Sequence, residues 1–128
     1  MKNLVTIKLN KEYKRAYFQG KFKAHPVLVT YMVPNRGKGN KIGITTSKKI
    51  GSAVVRNRAR RVIRAAYLSV RERVVFPKGY DIVFVARSDT ALMKSNKLEK
   101  IMEKQILFLL QNQSSQGKKK SRKEKECR

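Results

Sequence analysis

"KIGITTSKKIGSAVVRNRARRVIRAAY", residues 41–67, changes its periodicity halfway, and that change sets the fold. The first part puts Ile42 and Ile44 on one side of an extended chain, as a half-buried strand requires. Gly51 interrupts it, Ser52 has the side chain of an N-cap, and apolar residues then recur at helical spacing to about Arg73. At about 100° per residue, Ala59, Val62, Ile63, Ala66 and Val70 share one arc of this helix. Arg56, Asn57, Arg60, Arg61, Arg64 and Arg71 share the other, with Arg58 at the boundary and Leu68 an apolar exception. A strand therefore leads into a helix with one face for a sheet and one of guanidinium groups.

Working outward, Asn10 and Gly20 bracket a short helix as N-cap and C′ residue, with Tyr13, Ala16 and Tyr17 on one face. In residues 26–33, "PVLVTYMV", Val27, Val29, Tyr31 and Val33 point to one side of a strand, and Leu28, Thr30 and Met32 to the other. A turn-rich connector, "NRGKGN", joins this strand to Lys41, and a hairpin between the two is the economical expectation. After Pro77 and Gly79, "YDIVFVAR" is apolar on both sides, the pattern of a central strand. A last helix begins at Ser95 or Asn96, where Asn96 and Glu99 have capping-box spacing, with Leu98, Ile101, Met102, Gln105 and Leu109 as its seam. The order is helix, two or three strands, helix, strand, helix: an α+β sandwich of helices on one sheet.

The chain has 128 residues, enough for one domain, expected over residues 1–111, with 112–128 a disordered basic tail lacking apolar periodicity. Lys and Arg outnumber Asp and Glu 32 to 8, a net charge of +24, and no acid lies between Glu12 and Glu72. The charge thus belongs to the folded part and calls for a polyanion, nucleic acid before an anionic membrane. No apolar run is long enough to span a bilayer and no signal peptide is recognisable, so a cytoplasmic protein, monomeric by itself, is expected. The single Cys127 excludes an internal disulfide and reads as incidental.

Like charges at i,i+4 cost about 0.2–0.5 kcal/mol each, and Arg56, Arg60 and Arg64 repeat that cost with no acid to offset it. A solvated face would alternate sign; this one suits phosphate, which the planar guanidinium binds in bidentate fashion. Lys48 and Lys49 stand just before the helix, whose N-terminal N–H groups at Gly51 and Ser52 add a positive dipole end. Asn57 suits a base, a 2′-hydroxyl or a packing role equally. Tyr13, Tyr17 and Tyr31 lie in the acid-free region, where they serve either as core or as stacking surfaces for single-stranded nucleic acid. With one histidine, His25, and no carboxylate pair free of lysines, the chain offers no self-sufficient catalytic or metal centre.

The ordered set in residues 41–67, a strand ending in Ser-Lys-Lys, then Gly-x-Ala-Val, Arg-Asn and Arg-Arg-x-x-Arg, resembles the signature of the bacterial ribonuclease P protein component. "NKEYKRAYFQG", "GYDIVFVAR" and the terminal helix extend the resemblance over about residues 8–110. It implies a ribosomal protein S5 domain 2-like fold, αββ(β)αβα in two layers, with a left-handed βαβ crossover that carries the basic helix. It also implies a protein that binds a catalytic RNA, whose own Mg²⁺ ions hydrolyse a phosphodiester to remove the 5′ leader of precursor tRNA. Lys48, Lys49, Arg56, Asn57, Arg58, Arg60, Arg61 and Arg64 would then face that RNA, and Tyr13, Tyr17 and Tyr31 a cleft for the leader. Ala59 departs from the larger aliphatic usual there, and tyrosines replace the frequent phenylalanines at 13 and 17. The competing reading is a structural RNA-binding protein such as a small ribosomal protein, which would share the charge and much of the fold.

Overall fold

A computed structural model describes residues 5–35, 39–76 and 79–114. Three helices, α1 (Asn10–Gln19), α2 (Ala53–Val70) and α3 (Ser95–Ser114), accompany four strands: β1 (Lys21–Ala24), β2 (Leu28–Pro34), β3 (Lys41–Thr45) and β4 (Tyr80–Ala86). The α+β order expected from the sequence is present, and β1 is its optional strand. Cys127 and all of the expected tail beyond Ser114 lie outside the described residues, while α3 runs three residues past residue 111.

The strands are ordered β1-β2-β4-β3. β1 pairs with β2, and β2 with β4, antiparallel, whereas β3 and β4 are parallel. The hairpin expected between β2 and β3 is absent because β4 lies between them. Periodicity reports which side chains share a face and is silent on which strand is the neighbour. The doubly apolar β4 is central, as its pattern requires, and α2 spans the parallel β3–β4 crossover. Residues 5–7 cover the outer edge of β3: the Ile7 N–H donates to the Ile42 carbonyl at 2.8 Å, and the Ile42 N–H to that of Val5 at 2.9 Å.

Alternation along β2 and β4 separates two apolar clusters. Leu28, Met32, Ile82 and Phe84 meet Ala59, Ile63, Ala66 and Tyr67 of α2 and Leu98, Met102, Ile106 and Leu109 of α3. On the opposite face, Val29, Tyr31, Val33 and Val83 meet Ala16, Tyr13 and Tyr17 of α1, so α1 forms a partial third layer. Val27, expected with the second set, packs with the first, because residues 25–28 form a turn and β2 begins only at Leu28. Buried Gln105 fastens α3 to the sheet: its Oε1 accepts from the Thr30 hydroxyl at 2.7 Å, and its Nε2 donates to the carbonyls of Lys23 and Leu28 at 3.0 and 2.8 Å.

Two expected caps differ. Leu9 precedes α1 without a side-chain cap, and Gly20 is extended (φ −79°) instead of left-handed. Gly20 is needed for proximity: a Cβ would lie 2.5 Å from the Ala16 carbonyl oxygen and 2.9 Å from that of Met32. Asn96 is already inside α3, and Glu99 turns to Arg73 at 3.3 Å, with Glu103 completing the clamp at 2.7 Å. Arg73, and not the adjacent lysines, is thus the partner of this acidic pair, and the two carboxylates hold its pKa above the ordinary arginine value. Among the described residues no helix is long and apolar enough to cross a membrane.

Candidate nucleic-acid interface

Ser52 starts α2 as its sequence position demands, its Oγ accepting the Val55 N–H at 3.4 Å. Ala59, Ile63, Ala66, Tyr67 and Val70 then face the sheet, leaving Asn57, Arg58, Arg61 and Arg64 in solvent. Arg56 and Arg60 are half-buried. Arg56 donates to the Gly51 carbonyl at 3.0 Å, and Arg60 to Asn57 Oδ1 at 3.2 Å, so Asn57 orients a neighbouring guanidinium. Arg71 falls just beyond the helix.

Lys48 and Lys49 are exposed on a 3-10 turn, Lys48–Ile50, immediately before α2. The Gly51 N–H, expected to be free at the helix start, closes that turn on the Lys48 carbonyl at 3.3 Å. It therefore offers nothing to an anion. Gly51 itself has φ 146°, which favours glycine, and it aims the two lysines and α2 from one corner. Among the described residues, the ion pairs use Arg15, Lys41 and Arg73, and no carboxylate reaches Arg56, Arg58, Arg60, Arg61 or Arg64. The one-signed arc of α2 is an observed surface.

The tyrosines sit on the α1 side and divide into two places. Tyr13 lies over Gly43 and shares a crevice of about 160 Å³ with Thr6, Ile42, Arg60 and Arg64. Burial raises its pKa, helped by nearby Tyr17 and opposed by a backbone hydrogen bond at Ile44 and by Arg60. One turn on, the Tyr17 hydroxyl bonds to Thr45 Oγ1 at 2.7 Å, and its ring meets that of Tyr31 edge-on at 5.1 Å. Tyr31 is only 7% exposed and is backed by Phe22 of β1 at 5.3 Å. It is the floor of an open groove of about 540 Å³, walled by Phe22, His25, Val29, Val85 and Arg87. Phe22, His25 and Arg87 are not assigned to the cleft by the sequence reading; the alternation of Lys21, Phe22 and Lys23 was the signal for the first.

The crevice and the groove have no lining residue in common; α1 bears on both, with Tyr13 in the crevice beside Arg60 and Arg64, and Tyr17, one turn on, against the Tyr31 ring of the groove floor. The acids are committed elsewhere: Asp81 to Asn35 at 2.9 Å and Arg15 at 3.4 Å, Glu12 to Lys41 at 3.0 Å. Arg15 also donates to the Pro34 carbonyl. Among the described residues no three of His, Cys, Asp or Glu come together.

Such a combination defines a small cationic α+β protein for binding nucleic acid. The sequence profile of the family described as Ribonuclease P matches residues 1–110. A ribonuclease P protein component of Clostridium botulinum (strain Langeland) is 41% identical over 85 residues, 66% of this chain and 75% of its own. Another, from C. botulinum strain 657, is 36% identical over 104 residues, 81% of this chain and 89% of its own. The solved Staphylococcus aureus RNase P protein superposes with a TM-score of 0.68 at 28% identity, covering 83% of this chain and 95% of that one. The chain belongs to the ribonuclease P protein family, the protein subunits of a ribonucleoprotein endonuclease of tRNA processing.

Proposed function

We propose that α2 and the Lys48–Lys49 turn bind the catalytic RNA of ribonuclease P, while the α1 side of the sheet, with Tyr13, Tyr17 and Tyr31, receives the single-stranded 5′ leader of precursor tRNA. The observation that carries this reading is the shared crevice of Tyr13 with Arg60 and Arg64, which brings an aromatic residue of α1 onto the arginine arc of α2. Phosphodiester hydrolysis belongs to Mg²⁺ held by the RNA; the chain's own residues bind and orient. Two RNAs repel each other, and a cationic protein between them lowers the cost of bringing leader and catalyst together. The rings of Tyr17, Tyr31 and Phe22 supply a sequence-tolerant floor for unpaired bases, as a subunit serving many precursors needs. The protein by itself is a monomer, in the cytoplasm, and residues 1–111 are its RNA-binding domain.

The test is reconstitution with ribonuclease P RNA and precursor tRNA at low Mg²⁺. Addition of the protein restores leader removal, whereas a basic ribosomal protein at equal concentration does not. Equal rescue by both would reduce the chain to a generic RNA binder.

A further inference from the structure

The aromatic groove, which no residue of α2 lines, carries two polar residues, His25 and Arg87, on segments that one buried hydroxyl ties together. His25 Nδ1 accepts the Val27 N–H at 3.1 Å, and the Leu28 N–H closes the same turn on the His25 carbonyl at 3.1 Å. A ring nitrogen that accepts carries no proton, so the neutral imidazole has its proton on Nε2, at the opposite edge. Thr90, fully buried, donates to the Val27 carbonyl at 2.6 Å and accepts the Arg87 N–H at 2.8 Å. The backbones at Val27 and Arg87 are thereby tied together, which sets the His25 ring and the root of the exposed Arg87 side chain side by side, and both residues line the groove with Phe22, Val29, Tyr31 and Val85.

We propose that this part of the groove is a nucleotide subsite, in which His25 Nε2–H donates to an acceptor on one leader base and Arg87 takes a neighbouring phosphate. The inference rests on the groove being the leader path and adds a specificity-determining residue to it. The apolar floor accepts any base by stacking and does not choose. An N–H donor held in place does choose, because base edges that present a carbonyl or ring nitrogen satisfy it and an amino group does not. Arg87 acts through phosphate and carries no sequence information.

The competing account is that His25 only caps its turn. His25→Asn separates the two, since asparagine Oδ1 can still accept the Val27 N–H in an Asx turn while its amide stops short of the far ring edge. The holoenzyme, reconstituted with its RNA, is titrated with precursor tRNAs carrying each of the four bases at each leader position, and affinities are taken relative to leaderless tRNA. The wild type discriminates at one position by about fivefold, an ordinary hydrogen bond's worth. His25→Asn and His25→Ala flatten that position and leave the others, and Arg87→Ala weakens all leaders that reach it alike, with a salt slope smaller by about one. Unchanged discrimination in both His25 variants overturns the proposal, as does a wild type that prefers precursor over leaderless tRNA with no base preference. A wild type indifferent to the leader altogether would instead remove the reading of the groove on which the proposal stands.

Discussion

Tyr13 occupies the space that a side chain at position 43 would fill: a Cβ built on Gly43 lies 2.6–2.7 Å from the edge and hydroxyl of the Tyr13 ring. The glycine of β3 is therefore a seat for an aromatic residue of α1. Gly43→Ala should cost about 1–3 kcal/mol through overpacking and weaken precursor binding by displacing the ring from Arg60 and Arg64. In a Tyr13→Ala background the same change should be nearly neutral, a coupling that a double-mutant cycle of urea midpoints measures directly.

Replacing Arg60 and Arg61 with alanine should weaken assembly with the RNA subunit and flatten its dependence on salt, by about one unit of log–log slope for each phosphate no longer neutralised. Filter binding from low to near-physiological salt gives the slope. Folding should be little affected, because neither side chain is part of the core.

Tyr17→Ala should reduce affinity for precursor over leaderless tRNA by about 1–3 kcal/mol, the worth of one base–aromatic stack. Tyr17→Phe keeps the ring and removes only the bond to Thr45, so most of the preference should survive. Equal losses in the two variants would assign the effect to the hydroxyl.

Gln105→Leu should be among the most damaging single changes away from the interface. It removes the bonds to the buried Thr30 hydroxyl and Leu28 carbonyl and to the more exposed Lys23 carbonyl, at about 1–3 kcal/mol for a buried group left unsatisfied. Denaturant unfolding of the free protein should show a large fall in midpoint.

Burial pushes the pKa of Tyr67 above its usual value of 10.0, although Arg71 and a hydrogen bond to Asn40 draw it down. Folding thus favours the neutral phenol. The contribution is fully present below the unfolded-state pKa and is lost as the pH rises through the folded one. Tyr67→Phe should show a shallower loss of stability above about pH 10 than the wild type, followed by circular dichroism.

How much of this was legible depended on the kind of question. Periodicity placed Leu28 and Met32 on one side of β2 and Val29 and Tyr31 on the other, and it made β4 central, because burial on one face leaves a mark in every second residue. It could not place β4 between β2 and β3, since pairing is a choice among partners far apart in sequence. The arginine arc was readable for the same reason as the core, as the complement of Ala59, Ile63 and Ala66 on one helix. The meeting of Tyr13 with Arg60 and Arg64 was not, because it joins residues nearly fifty positions apart across a sheet edge. The Asn96–Glu99 spacing misled: Arg73 offered Glu99 a charge, which outweighs a backbone N–H as a partner.

The placement of β4 in the middle of the sheet has a consequence for how the protein is made. Its partners β2 and β3 leave the ribosome first, and until residues 80–86 follow they have no strand in common, only the shared contact with α1. Until then α2, cationic on one face and apolar on the other, has only an unfinished sheet to pack on, in a cell full of RNA. Such a chain gains native structure late in synthesis and is exposed to premature capture on ribosomal RNA, so the speed at which β4 slots between its neighbours decides how many newly made molecules escape.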